Sequence, residues 1–294
     1  MQRDNMTGIN FVCKIQGDDK AIKETIKSTR FSFPKAHTNS NDIAELSKQV
    51  KEHDKNTICV VPFCSTVEVE ALGAKVNLGD EKIGPRVNSF AYESIEQLSE
   101  IEKINLNEGR IKEVLDSIEK LNNEGEIVTL NVSGPFIIIT SLIDPMIFYK
   151  AVRKNKELVD KVITIIEDNI INYVKEGIKR GAKIISYEDS VGSVDIVGPK
   201  VYRYLTGKVT SEVLKKIGEF DNIVVHICGK TSVALEKYEF AKSTPVKLKE
   251  DVTYGEAIID IINNQKDIKF IGHSCMKRTP DKLKDNTVWK IDLS

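Results

Sequence analysis

Short apolar runs alternate with long helical stretches in the second half of this chain, and no other feature constrains its fold as much. Three of the runs are rich in β-branched residues and occupy residues 127–132, 183–189 and 223–228. The neighbouring stretches show helical periodicity at about 137–152, 156–180 and 199–218. Buried strands joined by long helices are typical of a parallel sheet with helices outside it. The pattern therefore predicts an α/β fold.

Polar residues collect where the predicted strands end, and this favours a barrel. The further predicted elements are strands at 57–64, 238–240 and 267–275 and helices at 21–26, 43–53, 94–103, 108–123 and 254–263. The polar strand ends are Cys64, Ser133, Glu188 with Asp189, His226 with Cys228, and His273 with Cys275. In a (β/α)8 TIM barrel all strand ends meet at one mouth, where active sites lie. We predict one barrel domain over residues 1–294, with residues 1–50 as an extra N-terminal segment.

Composition and charge exclude several classes of protein. The net charge is −1 and the charged residues form no long run of one sign, so we expect no nucleic-acid partner. No window approaches the ~18 apolar residues of a membrane span, and the N-terminus lacks an apolar signal core. We therefore expect a cytoplasmic protein with no membrane partner. The five scattered cysteines do not suggest a disulfide framework, so their thiols are available to a metal.

His226 and Cys228 lie two positions apart at the end of a predicted strand, so their side chains point the same way. Imidazole and thiolate are both good zinc ligands, and Cys275 is a candidate third ligand from another strand end. Taken alone, such a pair is more often a packed cysteine beside a hydrogen-bonded histidine. Because the pattern repeats at residues 273–275, metal binding is the better interpretation.

The second pair leaves two kinds of metal site open. Three ligands, His226, Cys228 and Cys275, would leave a fourth position for substrate, as in catalytic zinc sites. If His273 also binds, four ligands would close a structural site. Elsewhere, His37 lies in a loop-like stretch, and we expect it at the surface.

Several segments resemble the superfamily of uroporphyrinogen decarboxylase and the corrinoid-dependent methyltransferases, and in particular its methylcobamide:coenzyme M methyltransferase branch. The resembling segments are residues 69–76, 84–87, 132–136, 189–193, 198–202 and 226–229. The resemblance covers residues 57–235 and, more loosely, the Cys275 region. Cys228 and Cys275 lie 47 positions apart, closer than the family usually has them, so we expect the barrel to be shortened or incomplete.

The resemblance implies a zinc-dependent enzyme of one-carbon metabolism. It implies that Zn²⁺ bound by His226, Cys228 and Cys275 activates a small-molecule methyl acceptor, such as a thiol. The methyl donor would be a methylcobamide, carried by a corrinoid protein or free. Ser133 and Gly134 are expected to contact this cofactor. Glu188 and Asp189 are the predicted catalytic acids, although a helix cap or another structural contact explains them equally well.

Two alternatives belong to other classes of function. A decarboxylase of the uroporphyrinogen type would need the arginine-rich N-terminal motif of that family, whereas this N-terminal region has only Arg3 and Arg30. A non-catalytic protein with a structural metal would dock a corrinoid protein without transferring a methyl group. The missing arginine motif and the predicted metal set favour the methyltransferase.

Overall fold

The structure is a computed structural model that describes residues 31–80, 82–249 and 251–294. The predicted helix at 21–26, together with Arg3, Cys13 and Arg30, lies outside these residues. The strands are β1 Cys59–Val61, β2 Lys75–Asn77, β3 Arg86–Ser89, β4 Val128–Ser133, β5 Ile184–Glu188, β6 Val224–Cys228, β7 Ala241–Lys247, β8 Phe270–Ser274 and β9 Thr287–Leu293. The α-helices are α1 Ser40–His53, α2 Val67–Ala71, α3 Ile95–Leu98, α4 Gly109–Asn123, α5 Pro135–Leu142, α6 Pro145–Lys154, α7 Lys156–Lys179, α8 Val194–Val201, α9 Gly207–Gly218, α10 Gly229–Lys237 and α11 Tyr254–Asn264.

Seven strands form one sheet in the order β1-β4-β5-β6-β8-β9-β7. The first five of these are parallel, and β9 pairs antiparallel with both β8 and β7. The predicted α/β class is confirmed, but within the described residues the sheet is open, with β1 and β7 at its edges. The barrel is thus incomplete, because β7, the next strand after β6 in the chain, lies at the far edge of the sheet and not beside β6. As a result, β6 pairs directly with β8.

The two faces of the sheet differ in chemistry because side chains alternate along each strand. One face carries the apolar residues of the largest core cluster, such as Leu130, Ile185 and Val225, and helices α4, α7 and α9 contribute to the same cluster. The other face begins with Ile184, Val224 and Ile271, which pack against α11. By alternation, this second face continues into polar residues toward the carboxyl ends of β4, β5 and β6.

Local chemistry explains where the helices break. The predicted helix at 137–152 is two helices, because Pro145 cannot continue α5 and instead begins α6, whose first turn Asp144 caps by accepting the Met146 amide at 2.7 Å. The predicted helix at 199–218 begins earlier, at Val194. It has a left-handed Gly198 (φ 78°) before Pro199 and a π-helical turn over Tyr202–Thr206.

The C-terminal part differs most from prediction. The strand predicted at 238–240 is wrong. Helix α10 ends at Lys237, directly before these residues, and the strand of this region is β7, which pairs over its whole length with β9. Neither strand has a continuous apolar run, and Pro245 within β7 is tolerated because β7 is an edge strand. The predicted helix at 94–103 shortens to α3. In the described part of the chain, no helix is long and apolar enough to cross a membrane.

We expect the central strands to dominate the stability of the fold. Replacing Ile185, which is fully buried in β5, with Ala should lower the free energy of unfolding by about 2–5 kcal/mol, because the cavity cannot collapse in the middle of a sheet. The matched control is Ile196→Ala on α8, which is 60% exposed and should change stability by no more than about 0.5 kcal/mol. Denaturant unfolding measures both, and equal effects would contradict this account of the core.

Candidate active site

The carboxyl ends of β5, β6 and β8 lie side by side, because these strands are parallel neighbours. Ser186 pairs with His226, and Cys228 pairs with Ser274. Glu188, His226 and Cys228 share the second face of the sheet by strand alternation, and Cys275 directly follows β8. The structure thus brings the predicted metal residues and Glu188 to one edge.

His226 is buried, and neither of its ring nitrogens forms a hydrogen bond of normal geometry with the described residues. The backbones of Ser274 and of His226 itself lie near the ring and act to raise its pKa. Its ring contacts that of Tyr254 edge to face, with 6.0 Å between the centroids. Burial lowers the pKa of His226 to about 4, so the imidazole is neutral, which is the form that binds metals. A buried polar group without a partner is costly, and a metal ion at one nitrogen would satisfy this one.

Cys228 and Cys275 are both buried at this edge. Burial, and then the charges of Glu188 and Cys275, raise the pKa of Cys228 to about 12, while the amides of Lys230 and Thr231 at the start of α10 act in the opposite direction. The thiol is therefore neutral without a cation beside it. Cys228 therefore lies within electrostatic range of both Glu188 and Cys275.

His273 lies within a bulge of β8, which breaks the side-chain alternation before Cys275. The three residues of β6 from His226 to Cys228 oppose four residues of β8, from Ile271 to Ser274. His273 itself has a left-handed backbone (φ 57°). The broken alternation turns its ring toward α10. There Nδ1 lies 3.2 Å from the Ser232 hydroxyl, and Nε2 lies 2.9 Å from the Glu236 carboxylate. Burial lowers the pKa of His273, so the ring is neutral near pH 7. These contacts occupy both ring nitrogens away from the candidate ligands.

The three candidate ligands have the chemistry of zinc ligands, but their side chains are not placed to bind one ion. Within residues 31–80, 82–249 and 251–294, no group of three His, Cys, Asp or Glu side chains is placed to hold a metal ion. The donor set nevertheless combines two thiols with an imidazole whose nitrogens are unsatisfied. Zinc binding by His226, Cys228 and Cys275 would therefore require at least one of them to move.

The two predicted acids have different surroundings. Burial raises the pKa of Glu188, and the charge of Lys277 opposes that shift. Asp189 is fully enclosed: its carboxylate accepts the amides of Phe136 (3.3 Å) and Ile137 (3.0 Å) at the start of α5 and the Thr210 hydroxyl (3.3 Å). Asp189 is thus used as a helix cap, whereas Glu188 is the acid that influences Cys228.

Gly134 and Ser133 are tightly packed at the end of β4. A Cβ on Gly134 would lie 2.5 Å from the side chain of Asp189 and 2.6 Å from the Tyr187 hydroxyl, so only glycine fits at this position. Ser133 is buried, and its amide donates to the Glu68 carboxylate at 2.8 Å. Their predicted contact with a cofactor stays a prediction.

The sequence interpretation missed Glu68, on α2. It is 1% exposed, and burial is the main reason that its pKa is raised to about 7. Its only sequence signal is its place between two valines shortly after the end of a strand.

The expectation for His37 was wrong: its ring is buried against Phe33 and Phe63, and burial lowers its pKa to about 4.

Cys64 lies near this edge but in a separate cluster. Its sulfur is 3.2 Å from the Arg110 guanidinium, which is buried and also donates to Glu70 and to Thr66. Arg110 is therefore fully engaged with protein groups, and it is the only arginine in this cluster of described residues.

Several proteins of known name are similar to this chain. It is 27% identical over 229 residues to the methylcobamide:CoM methyltransferase MtaA of Methanosarcina barkeri, which covers 76% of this chain and 66% of the relative. It is 26% identical over 220 residues to the methylcobamide:CoM methyltransferase MtbA of Methanosarcina acetivorans, covering 73% and 64%. The match therefore spans just under two thirds of the length of these curated relatives.

The fold has a solved counterpart. A methyltransferase from Methanosarcina mazei superposes with a TM-score of 0.62 at 24% identity, covering 70% of this chain and 61% of the other. The family model described as "Uroporphyrinogen decarboxylase (URO-D)" matches residues 21–275, which include the open parallel sheet and the whole candidate site. From this match we conclude that the chain belongs to the uroporphyrinogen decarboxylase family.

Proposed function

We propose that this chain is a zinc-dependent methyltransferase that moves a methyl group from a methylated corrinoid to a thiol. The observation that carries the proposal is the buried imidazole of His226, whose nitrogens form no hydrogen bond of normal geometry with the described residues, at the edge where Cys228 and Cys275 also lie. The names of the relatives, which are methylcobamide:CoM methyltransferases, support the same donor and a thiol acceptor.

Bound zinc would supply a positive charge that stabilises the acceptor as a thiolate, and a set of three protein ligands leaves room for that sulfur. His226, Cys228 and Cys275 are the residues that would hold the ion. In the transfer, the thiolate sulfur forms a bond to the methyl carbon while the carbon–cobalt bond breaks and its electron pair stays on cobalt. The thiol proton must be removed first.

Glu188 is the proposed base for that proton. It lies on the same face of the sheet as Cys228 and close enough to raise the pKa of that thiol. A carboxylate with a raised pKa is suited to accept a proton near neutral pH. Asp189 instead positions α5 and the tight turn at Gly134, since its carboxylate caps that helix. Ser133 and Gly134 remain the proposed contacts of the methylcobamide.

The other two functions have weaker support. A decarboxylase would bind a substrate with many carboxylates, yet the buried Arg110 is already bound by Glu70 and Thr66. A closed structural metal site would need His273, whose ring nitrogens contact Ser232 and Glu236 instead.

We expect Cys228→Ser to lose both zinc and methyl transfer while the protein stays folded. Metal analysis should fall from near one zinc per chain to near none, and methyl transfer from methylcobalamin should fall by at least about 100-fold, because a ligand matters more than its supporting contacts. Coenzyme M, homocysteine and a tetrahydrofolate derivative would be tested as acceptors. The control is Cys64→Ser, a cysteine near the same edge but outside the set, which should keep its zinc. If Cys228→Ser keeps full zinc and activity, the proposed site is wrong.

We expect His273→Asn to keep zinc but to lose stability. Asparagine tolerates the left-handed backbone at this position, and the change removes the partner of Glu236. Leaving a buried polar group without its partner should lower the free energy of unfolding by about 1–3 kcal/mol. Glu236→Ala removes the same contact from the other side and should also lose stability. Loss of zinc in His273→Asn alone would instead indicate a closed site of four ligands.

A further inference from the structure

Tyr254 is a buried aromatic residue whose hydroxyl group the packing of the fold does not explain. It is the first residue of α11, and its side chain belongs to the apolar cluster that includes Ile184, Val224 and Ile271 on the second face of the sheet. It is 3% exposed, and its hydroxyl oxygen forms no hydrogen bond of normal geometry with the described residues. A phenylalanine would fill the same space without leaving a buried polar atom unsatisfied, so the hydroxyl group needs another explanation.

The backbone holds Tyr254 in place beside the candidate site. Its amide donates to the Asp281 carbonyl, and the amide of Gly255 donates to the Thr279 carbonyl, each at 2.9 Å. Both carbonyls belong to the segment that follows Cys275. The start of α11 is therefore fixed to the part of the chain that carries one of the candidate ligands.

The ring of Tyr254 contacts the ring of His226. The two rings meet edge to face, with 6.0 Å between their centroids and 64° between their planes. Both ring nitrogens of His226 lack a hydrogen bond of normal geometry with the described residues, as the Tyr254 hydroxyl does. Two buried side chains with unsatisfied polar atoms thus pack against each other, and one of them is a candidate zinc ligand.

The chemistry of the two groups is complementary. A neutral imidazole has one N–H donor and one nitrogen with a lone pair. Zinc takes the lone pair, so the N–H of a metal-bound histidine still needs an acceptor. A tyrosine oxygen can accept that hydrogen bond.

Ser274 is the competing partner for both rings. Burial raises the pKa of Tyr254, the Ser274 side chain opposes this shift, and the charge of Cys275 adds to it. The Ser274 backbone also lies near the ring of His226. An experiment must therefore separate a hydroxyl group that serves His226 from one that serves Ser274.

We propose that Tyr254 is a positioning residue of the zinc site, and that its hydroxyl oxygen accepts the N–H of the His226 nitrogen that does not bind the metal. This inference rests on the proposed function. Zinc binding requires at least one candidate ligand to move. Because α11 fixes Tyr254, the ring of His226 is the part that turns. The hydrogen bond then determines which nitrogen carries the proton and makes the other a more basic ligand.

Tyr254→Phe should weaken zinc binding by about 10- to 100-fold. The change removes only the hydroxyl group and keeps the ring contact, and losing the partner of a metal-binding histidine has an effect of this size. Competition with a zinc chelator measures the dissociation constant of the full chain. The matched control is Tyr173→Phe on α7. Tyr173 is also buried, its hydroxyl also lacks a hydrogen bond of normal geometry with the described residues, and its ring lies in the largest core cluster, so zinc affinity should not change.

Melting of the zinc-free protein tests for a structural role of the hydroxyl group. Without metal, Tyr254→Phe should melt no lower than the wild type, because the change removes a buried polar atom that has no partner. At one fixed concentration of free zinc, the wild type should melt higher than the variant, because tighter binding to the folded state stabilises it more. A hydroxyl group bonded to Ser274 would instead make the variant melt lower even without zinc.

The outcomes separate this inference from the proposed function. If the wild type binds no zinc, both are wrong. If the wild type binds zinc, Cys228→Ser does not, and Tyr254→Phe keeps the wild-type affinity, only the inference is overturned. An equal loss of affinity in Tyr173→Phe, or a lower melting temperature of zinc-free Tyr254→Phe, also overturns it. Weaker zinc binding in Tyr254→Phe alone, with zinc-free melting unimpaired, supports it.

Discussion

Direct pairing of β6 with β8 is the interaction on which the candidate site depends. The chain between Cys228 and Cys275 contains a strand of its own, β7, which a regular barrel would place between its neighbours. Here β7 pairs with β9 at the far edge, so β6 and β8 become adjacent. Two cysteines that are 47 positions apart in the chain therefore end on neighbouring strands. The short spacing and the open sheet are two consequences of the same arrangement.

The bulge in β8 shifts the register of this pairing. One extra residue and a left-handed backbone at His273 direct its ring to Ser232 and Glu236 on α10, while Cys275 stays at the edge beside Cys228. The same local irregularity thus excludes one histidine from the site and retains one cysteine. A left-handed backbone at a non-glycine residue costs energy, and the buried contacts of the ring offset that cost.

A group of buried acids surrounds the edge, and each has a different task. Asp189 caps α5 and forces glycine at position 134 through close approach. Glu68 accepts the Ser133 amide at the end of β4, and the charge of Glu188 raises the pKa of Cys228. Burial raises the pKa of all three, so this edge holds protons near neutral pH more readily than exposed carboxyl groups do. The proposed methyl transfer, which releases a proton from a thiol, is suited to such surroundings.

The sequence alone determined the α/β class, the buried strands β4, β5 and β6, and the residues at their polar ends. These follow from local signals, namely β-branched runs, side-chain alternation and helical periodicity, which depend only on nearby residues. Tertiary structure decided the position of β7, the pairing of β9 and the buried states of His37 and Glu68. It also decided that His273 turns away from Cys275 and that Asp189 caps a helix. Each of these depends on contacts between residues far apart in the chain, because strand order, burial and proton affinity are set by which elements pack together.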